Sequence, residues 1–366
     1  MTATPLVEAE CPAAAPAPAG TSRPAVSIVI PSWNGRHLLE RYLPAVLAEA
    51  DAYRRLTGAA AEVLVVDDGS TDDTAAYLAR TAAAGVRMAA RRDNGGFSAA
   101  CNTGFAAAAH PVVVLLNNDV EPEAGFLPPL LEHFRDPAVF GVTCRVLLPG
   151  TRVLSTAGKV GMFRRGYWSA QFNYEPVGDG AGPWPSFTAI GGFAALDRGK
   201  VLQLGGFLEI FNPFYWEDID LSYRAWKRGW EIRFEPRSVV YHQPSATIGR
   251  AFERRRIDTI AARNRLLFHW LEIRDPVMLG RHAGMLALQA ASQWAGRRRE
   301  FYGALAQALR RLPEVRRLRR SIHRGEVRSD RELVARFRDL ARRPDIRIIR
   351  SHAEAEALAA ASAAAD

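Results

Sequence analysis

Cysteine and lysine are both scarce in this chain of 366 residues. The three cysteines, Cys11, Cys101 and Cys144, are odd in number and far apart in sequence. That spacing argues against a disulfide framework and against a cysteine zinc site, and it is typical of a protein from a reducing compartment. Lysine supplies only three of the 48 basic side chains, so arginine carries almost all of the positive charge.

Long apolar runs are also missing. The best candidate, residues 276–294, contains Arg281 and His282, so we expect no membrane-spanning helix. The first 20 residues lack a basic segment and an unbroken apolar stretch, so we expect no secretory signal. Residues 1–24 are half alanine and proline, a composition typical of a flexible leader. We therefore expect a cytoplasmic protein.

Glycine-rich phosphate loops are absent as well. No GxGxxG follows the first predicted strand, and no GxxxxGK[ST] occurs anywhere in the chain. These absences argue against dinucleotide-dependent redox chemistry and against P-loop ATP hydrolysis. The turns that take their place are rich in acids and amides, so a phosphate bound there would need a divalent cation between itself and the protein.

Four short apolar segments alternate with helical patterns in the first part of the chain, at residues 26–30, 62–66, 86–90 and 112–116. Fully apolar strands that alternate with helices predict an α/β fold with a mostly parallel sheet covered on both faces. Ligands of such sheets bind beyond the carboxyl ends of the strands. The polar side chains found there are Ser32, Asn34, Asp67, Asp68, Asn117, Asn118 and Asp119.

The periodicity is weaker in the second half of the chain. Residues 187–196, 230–234 and 238–242 are predicted strands, and the aromatic side chains between residues 163 and 184 are predicted core. Residues 251–350 are predicted to form a helical, arginine-rich region, interrupted near Pro276, Pro313 and Pro344. Residues 351–366 are rich in alanine, and we expect a frayed tail there.

Two acidic sites are candidates for chemistry. Asp119 ends an apolar strand, where a carboxylate serves either as a helix N-cap or as a metal ligand. Glu217, Asp218 and Asp220 open an amphipathic helix, where acids also favour the helix dipole. Aromatic side chains crowd beside Asp218, at positions 211, 214, 215 and 216. Burial against aromatic rings raises the pKa of a carboxyl group, which suits a general base.

Six motifs carry a family resemblance. In chain order they are VSIVIPSWN, VLVVDDGSTDDT, DNGGFSAACNTGF, VVVLLNNDVEP, GGFAALDR and FYWEDIDLSYRAWKRGW. Each motif alone is weakly specific, but the six in this order and spacing resemble family 2 glycosyltransferases. The branch to which they are most similar is the bacterial rhamnosyltransferase-like enzymes of surface-polysaccharide assembly. The resemblance covers about residues 25–250.

The resemblance implies a GT-A fold over residues 25–250, in which one Rossmann-like sheet binds a nucleotide-sugar donor. Asp218 matches the catalytic base, which takes the proton of the acceptor hydroxyl, and Asp68 matches the carboxylate that binds the nucleotide base. The implied donor-binding residues are Pro31, Ser32, Asn34, Asp67, Asp68, Asn94, Asn102 and Asn118. The implied acceptor-side residues are Gly191, Gly192, Trp216 and Glu217.

Some of these residues have structural alternatives. Asn94 also suits an ordinary turn with a helix cap. Asn102 lies on the next predicted helix, and its amide either faces the nucleotide or supports the turn around Asp68. Gly191 and Gly192 either let the backbone approach the acceptor or form a kink in a strand.

The resemblance also implies a divalent cation, Mn²⁺ or Mg²⁺, on the donor diphosphate. Asp119 matches the metal-binding acid of the family's DxD element, and His242 matches a histidine that completes the metal site in some relatives. A structural histidine is the alternative for His242. Asn117 replaces the first acid of the element, so we expect a weaker dependence on metal than the family name suggests. One base and one cation are the requirements of inverting glycosyl transfer.

The positive charge is concentrated near the carboxyl end. Residues 297–350 contain 18 arginines and seven acids, whereas the rest of the chain has a net charge of −2. This region is either a solvated helical face or an attachment to an anionic membrane surface, since the apolar segment 278–294 precedes it. No nucleic-acid-binding motif accompanies the arginines, so no nucleic acid is expected as a partner.

The predicted function is therefore inverting transfer of a sugar from a nucleotide-diphospho-sugar to a saccharide or lipid-linked acceptor. The branch suggests dTDP-rhamnose as the donor, and a lipid-linked acceptor agrees with a position on the inner face of the cytoplasmic membrane. Two alternatives stay open. Asn117 permits a catalytically silent, membrane-associated assembly subunit. A nucleotidyltransferase on a similar sheet would need a basic phosphate loop where residues 31–35 read PSWNG.

Overall fold

The computed structural model describes residues 23–178, 182–242, 252–295 and 299–363. Its strands are β1 (Val26–Ser32), β2 (Ala61–Asp67), β3 (Val86–Ala90), β4 (Val112–Leu116), β5 (Val120–Pro122), β6 (Val139–Leu147), β7 (Leu154–Thr156), β8 (Gly158–Arg164), β9 (Tyr167–Pro176), β10 (Trp184–Pro185), β11 (Phe193–Asp197), β12 (Glu231–His242) and β13 (Ile346–Ile349). Its helices are α1 (Arg36–Thr57), α2 (Thr74–Thr81), α3 (Phe97–Ala107), α4 (Leu127–Glu132), α5 (Arg198–Gln203), α6 (Glu217–Lys227), α7 (Arg254–Glu272), α8 (Pro276–Ala295), α9 (Arg299–Arg310), α10 (Leu312–Ile322), α11 (Asp330–Leu340) and α12 (His352–Ala363). Residues 1–22 of the predicted leader lie outside the described residues.

The main sheet has the strand order β10-β12-β6-β11-β4-β1-β2-β3, with β5 on β12 and β7 on β6. The four predicted amino-terminal strands form its parallel part, in the order β4-β1-β2-β3. Beyond β4 the pattern changes, because β11 runs antiparallel to both β4 and β6. The predicted α/β class is confirmed, with a sheet that is parallel over β4-β1-β2-β3 and mixed beyond β4.

The apolar strands are covered on both faces. Ile28 and Ile30 pack with residues of α1 and α4 on one face, whereas Val29 packs with residues of α3 on the other. Helix α3 lies so close to the sheet that a Cβ on Gly104 would be 2.3 Å from Cγ1 of Val29. Each fully buried Val or Ile contributes about 1.5–3 kcal/mol, so this sandwich stabilises the edge that carries the polar turns.

A second sheet corrects the prediction of a wholly helical region over residues 251–350. Strand β13 pairs antiparallel with β9, which in turn pairs with β8. Ile346 and Ile349 of β13 are buried, and their apolar run follows Pro344 directly. A four-residue strand is too short to show in the sequence periodicity, and its pairing partner lies about 170 residues earlier.

The carboxyl-terminal helices share a hydrophobic core with the main sheet. The ring of Phe337, in α11, lies edge-on to Phe187 at 5.0 Å and to Trp226 at 5.3 Å. The predicted frayed tail is wrong for residues 352–363, because they form α12 and bury Ala355 against the sheet. Not one of the described helices is long and apolar enough to cross a membrane.

The other predictions for the second half hold in part. Of the predicted strand 187–196, only the end is extended, as β11. The two predicted strands at 230–234 and 238–242 are one strand, β12, with an irregular register in its middle. The aromatic core between residues 163 and 184 is confirmed, since Trp168 and Tyr174 are completely buried.

Candidate active site

Ser32, at the end of β1, and Asn118, which follows β4, are two predicted donor-binding residues that contact each other. Oγ of Ser32 accepts a hydrogen bond from Nδ2 of Asn118 at 3.0 Å, and both side chains are buried. Gly35 passes so close that a Cβ there would be 2.3 Å from the Ser32 hydroxyl. Pro31, the preceding residue of β1, is also buried. The carboxyl ends of β1 and β4 therefore meet in a tightly packed edge.

Asn34 shapes the acidic turn that follows β2. Its Oδ1 accepts hydrogen bonds from the N–H groups of Thr71 at 2.8 Å and Asp72 at 3.3 Å. Its own N–H donates to Oγ of Ser70 at 2.9 Å, and Asp67 accepts from the Ser70 N–H at 3.1 Å. Asn34 adopts the left-handed conformation, with φ at 49°, which Asn tolerates better than most residues. Asn34 and Asp67 thus fix the shape of the turn.

Asp68 joins two turns of the candidate donor site. The side chain is buried, and its two oxygens accept hydrogen bonds from the N–H groups of Gly95 at 3.1 Å and Gly96 at 2.9 Å. Arg91 forms an ion pair with it at 2.7 Å. These contacts hold the glycine turn before α3 against the acidic turn after β2.

Asp119 and His242 are brought together by strand pairing. β5 runs antiparallel to β12, and Val120 lies opposite His242 in that register. Oδ1 of Asp119 is 3.3 Å from Nε2 of His242. This carboxylate oxygen is buried, and no group donates a hydrogen bond to it among the described residues. A buried carboxylate oxygen without a partner costs about 1–3 kcal/mol, so this pair fits a site for a cation.

A cation at this position would have two protein donors, Asp119 and His242. Within the described ranges, no cluster of three or more His, Cys, Asp or Glu side chains could hold a metal ion. The remaining ligands of a divalent cation would therefore come from a diphosphate or from water. An imidazole nitrogen beside a carboxylate suits Mn²⁺ better than Mg²⁺, which strongly prefers oxygen ligands.

Asp218 lies near the amino terminus of α6 with both oxygens held by backbone groups. Oδ2 accepts a hydrogen bond from the N–H of Gly191 at 3.0 Å, and Oδ1 accepts from the N–H of Ile219 at 2.8 Å. Burial raises the pKa of Asp218, while these two N–H groups and the charge of Lys159 oppose that rise. A half-buried carboxylate with this balance is oriented, basic and still able to ionise.

The turn before Asp218 is conformationally strained. Tyr215 and Trp216 both have positive φ, at 73° and 79°, which costs about 1–2 kcal/mol for each non-glycine residue. Asn264, which is completely buried in α7, donates from Nδ2 to the carbonyl oxygens of Phe214 and Tyr215, both at 2.9 Å. Helix α7 thereby holds the turn that directs Asp218.

Gly191 and Gly192 contact Asp218 and Asn117, respectively. A Cβ on Gly191 would be 3.4 Å from Cβ of Asp218. Gly192 has φ at 91°, and a Cβ there would be 2.4 Å from Cγ of Asn117. The N–H of Asn117 also donates to the carbonyl of Gly192 at 3.2 Å. The glycine pair thus passes between Asp218 and Asn117, and a side chain on Gly192 would collide with Asn117.

Replacing Gly192 by alanine should destabilise the protein more than replacing Gly58 by alanine. Both glycines are left-handed, so each substitution carries about 1–2 kcal/mol of backbone strain. Gly58 has open space around it, whereas a methyl group on residue 192 would also displace Asn117, for about 1–3 kcal/mol more. Urea unfolding of the two variants measures the difference. Equal losses in the free energy of unfolding would show that the contact with Asn117 carries no cost.

Comparison with known proteins identifies the fold that carries this site. Residues 27–205 match the model of the family described as glycosyl transferase family 2. Residues 27–205, just under half of the chain, therefore form a domain similar to family 2 glycosyltransferases. Among curated proteins, it is similar to the pre-mycofactocin glycosyltransferase of Mycobacterium tuberculosis, with 27% identity over 228 residues that cover 62% of this chain and 44% of the relative. The chain thus spans less than half the length of that relative.

Solved structures share the fold of the glycosyltransferase domain. The structure of GalNAc-T7 with UDP, GalNAc and Mn²⁺ gives a TM-score of 0.54 at 17% identity, over 70% of this chain and 49% of that chain. The mannosyltransferase PcManGT from Pyrobaculum calidifontis, in complex with GDP-Man and Mn²⁺, gives 0.51 at 20% identity, over 79% and 88% of the two chains. The predicted GT-A fold is confirmed, whereas the rhamnosyltransferase-like branch stays a prediction.

Two predicted donor-side residues of the glycosyltransferase domain have structural tasks. Asn94 is exposed, and its Oδ1 accepts from the N–H of Gly96 at 3.0 Å, as the turn-and-cap alternative predicts. The hydrogen bonds of the Asn102 amide go to neither the turn around Asp68 nor the turn after β1, but to the loop after α5. Its amide pairs with the backbone of Phe207, donating to the carbonyl at 2.9 Å and accepting from the N–H at 2.8 Å. Asn102 therefore fixes the loop that follows α5.

Two predicted acceptor-side residues are more buried than expected. The ring of Trp216 packs on Phe268 at 5.2 Å and on His269 at 6.0 Å, so it contacts α7. Glu217 is buried, and Oε2 has no hydrogen-bond partner. Burial, with the charge of Asp218 next, raises the pKa of Glu217 well above its usual range. Burial therefore favours the protonated form of Glu217, whereas two backbone N–H groups favour the ionised form of Asp218.

Sequence reasoning missed two residues that bear on the candidate site. Asn264 is an amide within an apolar helical face, and a polar residue at a buried helical position was a signal that could have found it. Lys159, in β8, carries a positive charge that lowers the pKa of Asp218. Because β8 and α6 lie far apart in the sequence, no pattern except the scarcity of lysine pointed to Lys159.

Proposed function

We propose that this chain transfers a sugar, with inversion, from a nucleotide-diphospho-sugar to a saccharide or lipid-linked acceptor. The observation that carries the proposal is the arrangement around the glycine pair. A single oriented base, Asp218, lies on one side, and a carboxylate–imidazole pair, Asp119 and His242, follows Asn117 on the other. A single displacement needs one base, whereas hydrolases that cleave glycosides use two flanking carboxyl groups.

Asp218 is the proposed general base. The acceptor oxygen forms its bond to the anomeric carbon while its proton passes to Asp218, and the bond from that carbon to the diphosphate breaks. The hydrogen bonds from Gly191 and Ile219 hold the carboxylate in place for this transfer. Positioned proton transfer of this kind contributes about 10²–10⁴-fold to the rate.

Asp119 and His242 are the proposed holders of a divalent cation. When bound, the cation supplies positive charge against the negative charge that develops on the leaving diphosphate. Asn117 contributes no charge, because its side chain is an amide packed against Gly192. Asp68 and the turn shaped by Asn34 are the proposed nucleotide-binding surface. The donor dTDP-rhamnose is the choice that the resemblance suggests.

A peripheral contact with an anionic membrane is proposed for helix α8 and the arginine-rich region. The exposed fractions of Val277, Leu288 and Trp294 are 49%, 62% and 77%, so α8 presents apolar side chains outward. Some arginines of the region are used inside the protein, as Arg319 donates to three backbone carbonyls. An apolar face beside cationic side chains suits the surface of an anionic bilayer and hence a lipid-linked acceptor.

A thermal-shift panel of UDP-, GDP- and dTDP-sugars, each with and without Mn²⁺, tests the proposal. A ligand that binds only the folded state stabilises it by about 2.7 kcal/mol at a hundredfold excess over its Kd. We expect one donor class to give a shift that grows with Mn²⁺, and Asp119→Ala to remove the Mn²⁺-dependent part. The matched variant Asp218→Asn should keep it.

Three outcomes would change the assignment. A shift that ignores Mn²⁺ in both the wild type and Asp119→Ala would exclude Asp119 as a metal ligand. No shift with any donor would favour the silent assembly subunit. Release of pyrophosphate from a nucleoside triphosphate and a sugar phosphate would instead identify a nucleotidyltransferase.

A further inference from the structure

We propose that Asn212 is a positioning residue for Asp218, because its side chain joins the turn before the base to the glycine turn of the donor site. The base turn comprises residues 212–216, directly before α6, and the glycine turn comprises residues 94–96, directly before α3. The inference rests on the proposed function and adds a residue that controls the direction of its base.

Two hydrogen bonds join the base turn to the glycine turn and to α3. Nδ2 of Asn212 donates to the carbonyl oxygen of Gly95 at 2.7 Å, and the N–H of Phe97 donates to the carbonyl oxygen of Pro213 at 3.3 Å. The two turns are in close contact, since a Cβ on Gly96 would be 3.2 Å from Cγ of Asn212. The shorter hydrogen bond is the one that the Asn212 side chain donates, so this residue is the main polar link between the turns.

Gly95 also links the base turn to the donor side. Its N–H donates to Oδ1 of Asp68 at 3.1 Å, and the N–H of Gly96 donates to Oδ2 of Asp68 at 2.9 Å. The carbonyl oxygen of Gly95 accepts from Asn212 at the same time. A single residue therefore bonds to both the proposed nucleotide-binding carboxylate and the base turn, so a shift of the glycine turn is transmitted to both.

The base turn needs such support because two of its residues are strained. Tyr215 and Trp216 have φ at 73° and 79°, a conformation that persists only when the surrounding structure holds it. From α7, Arg263 donates to the carbonyl oxygen of Asn212 at 2.6 Å, and Asn264 donates to that of Tyr215 at 2.9 Å. These contacts fix carbonyl groups of the turn, whereas the side chain of Asn212 fixes the turn against the glycine turn.

The start of α3 also approaches the peptide group that orients the base. A Cβ on Gly191 would be 3.4 Å from Cε1 of Phe97 and 3.4 Å from Cβ of Asp218. The N–H of Gly191 donates to Oδ2 of Asp218 at 3.0 Å. Phe97, Gly191 and Asp218 therefore lie together, and the hydrogen bond of Asn212 holds the base turn at the distance from α3 that this arrangement requires.

The Asn212 side chain is poorly suited to a purely structural role. Its Oδ1 is buried, and none of the described residues donates a hydrogen bond to it. An unpaired buried oxygen offsets part of the stability gained from the hydrogen bond to Gly95. Replacing Asn212 should therefore affect the direction of the base more than the stability of the fold.

Asn212→Asp tests the proposal, because it keeps the size of the side chain and removes the donor to Gly95. The assay is release of nucleoside diphosphate from the donor class found by the thermal-shift panel, with water as the acceptor. We expect kcat to fall about 10–10²-fold and the donor KM to change by less than about twofold. Asn173→Asp is the matched control and should keep both constants, since the hydrogen bonds of Asn173 go to residues 155–157 and to neither turn.

The double variant Asn212→Asp/Asp218→Asn separates a positioning role from a structural one. A residue that acts through the base has no further effect once the base is absent, so the double variant should be as slow as Asp218→Asn alone. Losses that multiply, an unchanged kcat in Asn212→Asp, or an equal loss in Asn173→Asp would each overturn the proposal. A loss confined to the donor KM would also overturn it, because Asn212 would then be a donor-binding residue.

Amide hydrogen exchange of the full chain gives a second measurement, which requires no turnover. Without its link to Gly95, the base turn should open more readily, so peptides from residues 94–97 and 213–219 should exchange about fivefold faster in Asn212→Asp than in the wild type. Residues 112–116 of the buried strand β4 should exchange at the wild-type rate. Faster exchange in β4 as well would show that Asn212 stabilises the whole fold and would overturn the proposal.

UDP, GDP and dTDP, each with Mn²⁺, extend this measurement to the donor site. The diphosphate that binds should slow exchange at residues 94–97 in both proteins, and at residues 213–219 it should slow exchange more in the wild type than in Asn212→Asp. Equal slowing at residues 213–219 in the two proteins would overturn this proposal and leave the proposed function intact. No slowing at residues 94–97 with any of the three would instead remove the donor site, so the proposed function and this inference would fail together.

Discussion

Asp218→Asn should lower kcat for sugar transfer by about 10²–10⁴-fold and leave the affinity for the donor nearly unchanged. The amide keeps the size of the carboxylate and one hydrogen-bond acceptor for the Gly191 N–H, but it cannot accept the proton of the acceptor hydroxyl. Initial rates with the donor class found by the thermal-shift panel, together with the donor Kd of the variant, measure both effects.

Glu217→Gln is the informative comparison for this prediction. Burial raises the pKa of Glu217 well above its usual range and so favours its neutral form, which a neutral amide resembles. We expect its loss of kcat to be much smaller than that of Asp218→Asn. Equal losses would transfer the role of base to Glu217, and loss of donor affinity in Asp218→Asn would make Asp218 a binding residue instead.

The sequence predicted the parallel half of the sheet because its strands are continuous runs of apolar residues. Fully buried strands such as β1 and β4 can be recognised from their own residues, which are apolar throughout. The polar side chains that follow them then lie at the carboxyl edge of the sheet. The strand β13 and the buried face of α12 had no comparable signal. Both depend on contacts with strands 170 or more residues earlier, which local periodicity does not contain.

The candidate site was predictable in its residues and less so in its contacts. Asp119 and His242 were both singled out, but their distance depends on the register of β5 on β12, which the sequence does not give. The amide of Asn102 was predicted to face the nucleotide or to support the turn around Asp68, whereas the structure shows it bonded to the backbone of Phe207, 105 residues later in the chain. Long-range partners of single polar side chains are thus the part of the site that sequence patterns leave out.

Arg224→Met should destabilise the protein by about 3–5 kcal/mol, the largest stability loss that we expect from one substitution. Arg224 is buried, and its guanidinium donates to Asp220 at 2.7 Å and to the carbonyls of Leu204 and Gly206 at 2.7 Å and 2.9 Å. Removing it leaves three buried acceptors without a partner. Arg254→Met is the matched control, since Arg254 and Asp258 have the same i,i+4 spacing but exposed side chains.

The pH dependence of that loss follows from the acid pair behind Arg224. Burial raises the pKa of Asp220, which Arg224 opposes, and burial with the charge of Asp220 raises the pKa of Glu272 well above its usual range. Without Arg224, the pKa of Asp220 rises further, and protonation removes its unpaired charge. The loss in the free energy of unfolding should therefore be smaller in acid than at neutral pH. Urea unfolding of Arg224→Met and Arg254→Met between acid and neutral pH measures this difference. A loss that does not depend on pH would show that the missing hydrogen bonds to the carbonyls, rather than the charge of Asp220, cause the destabilisation.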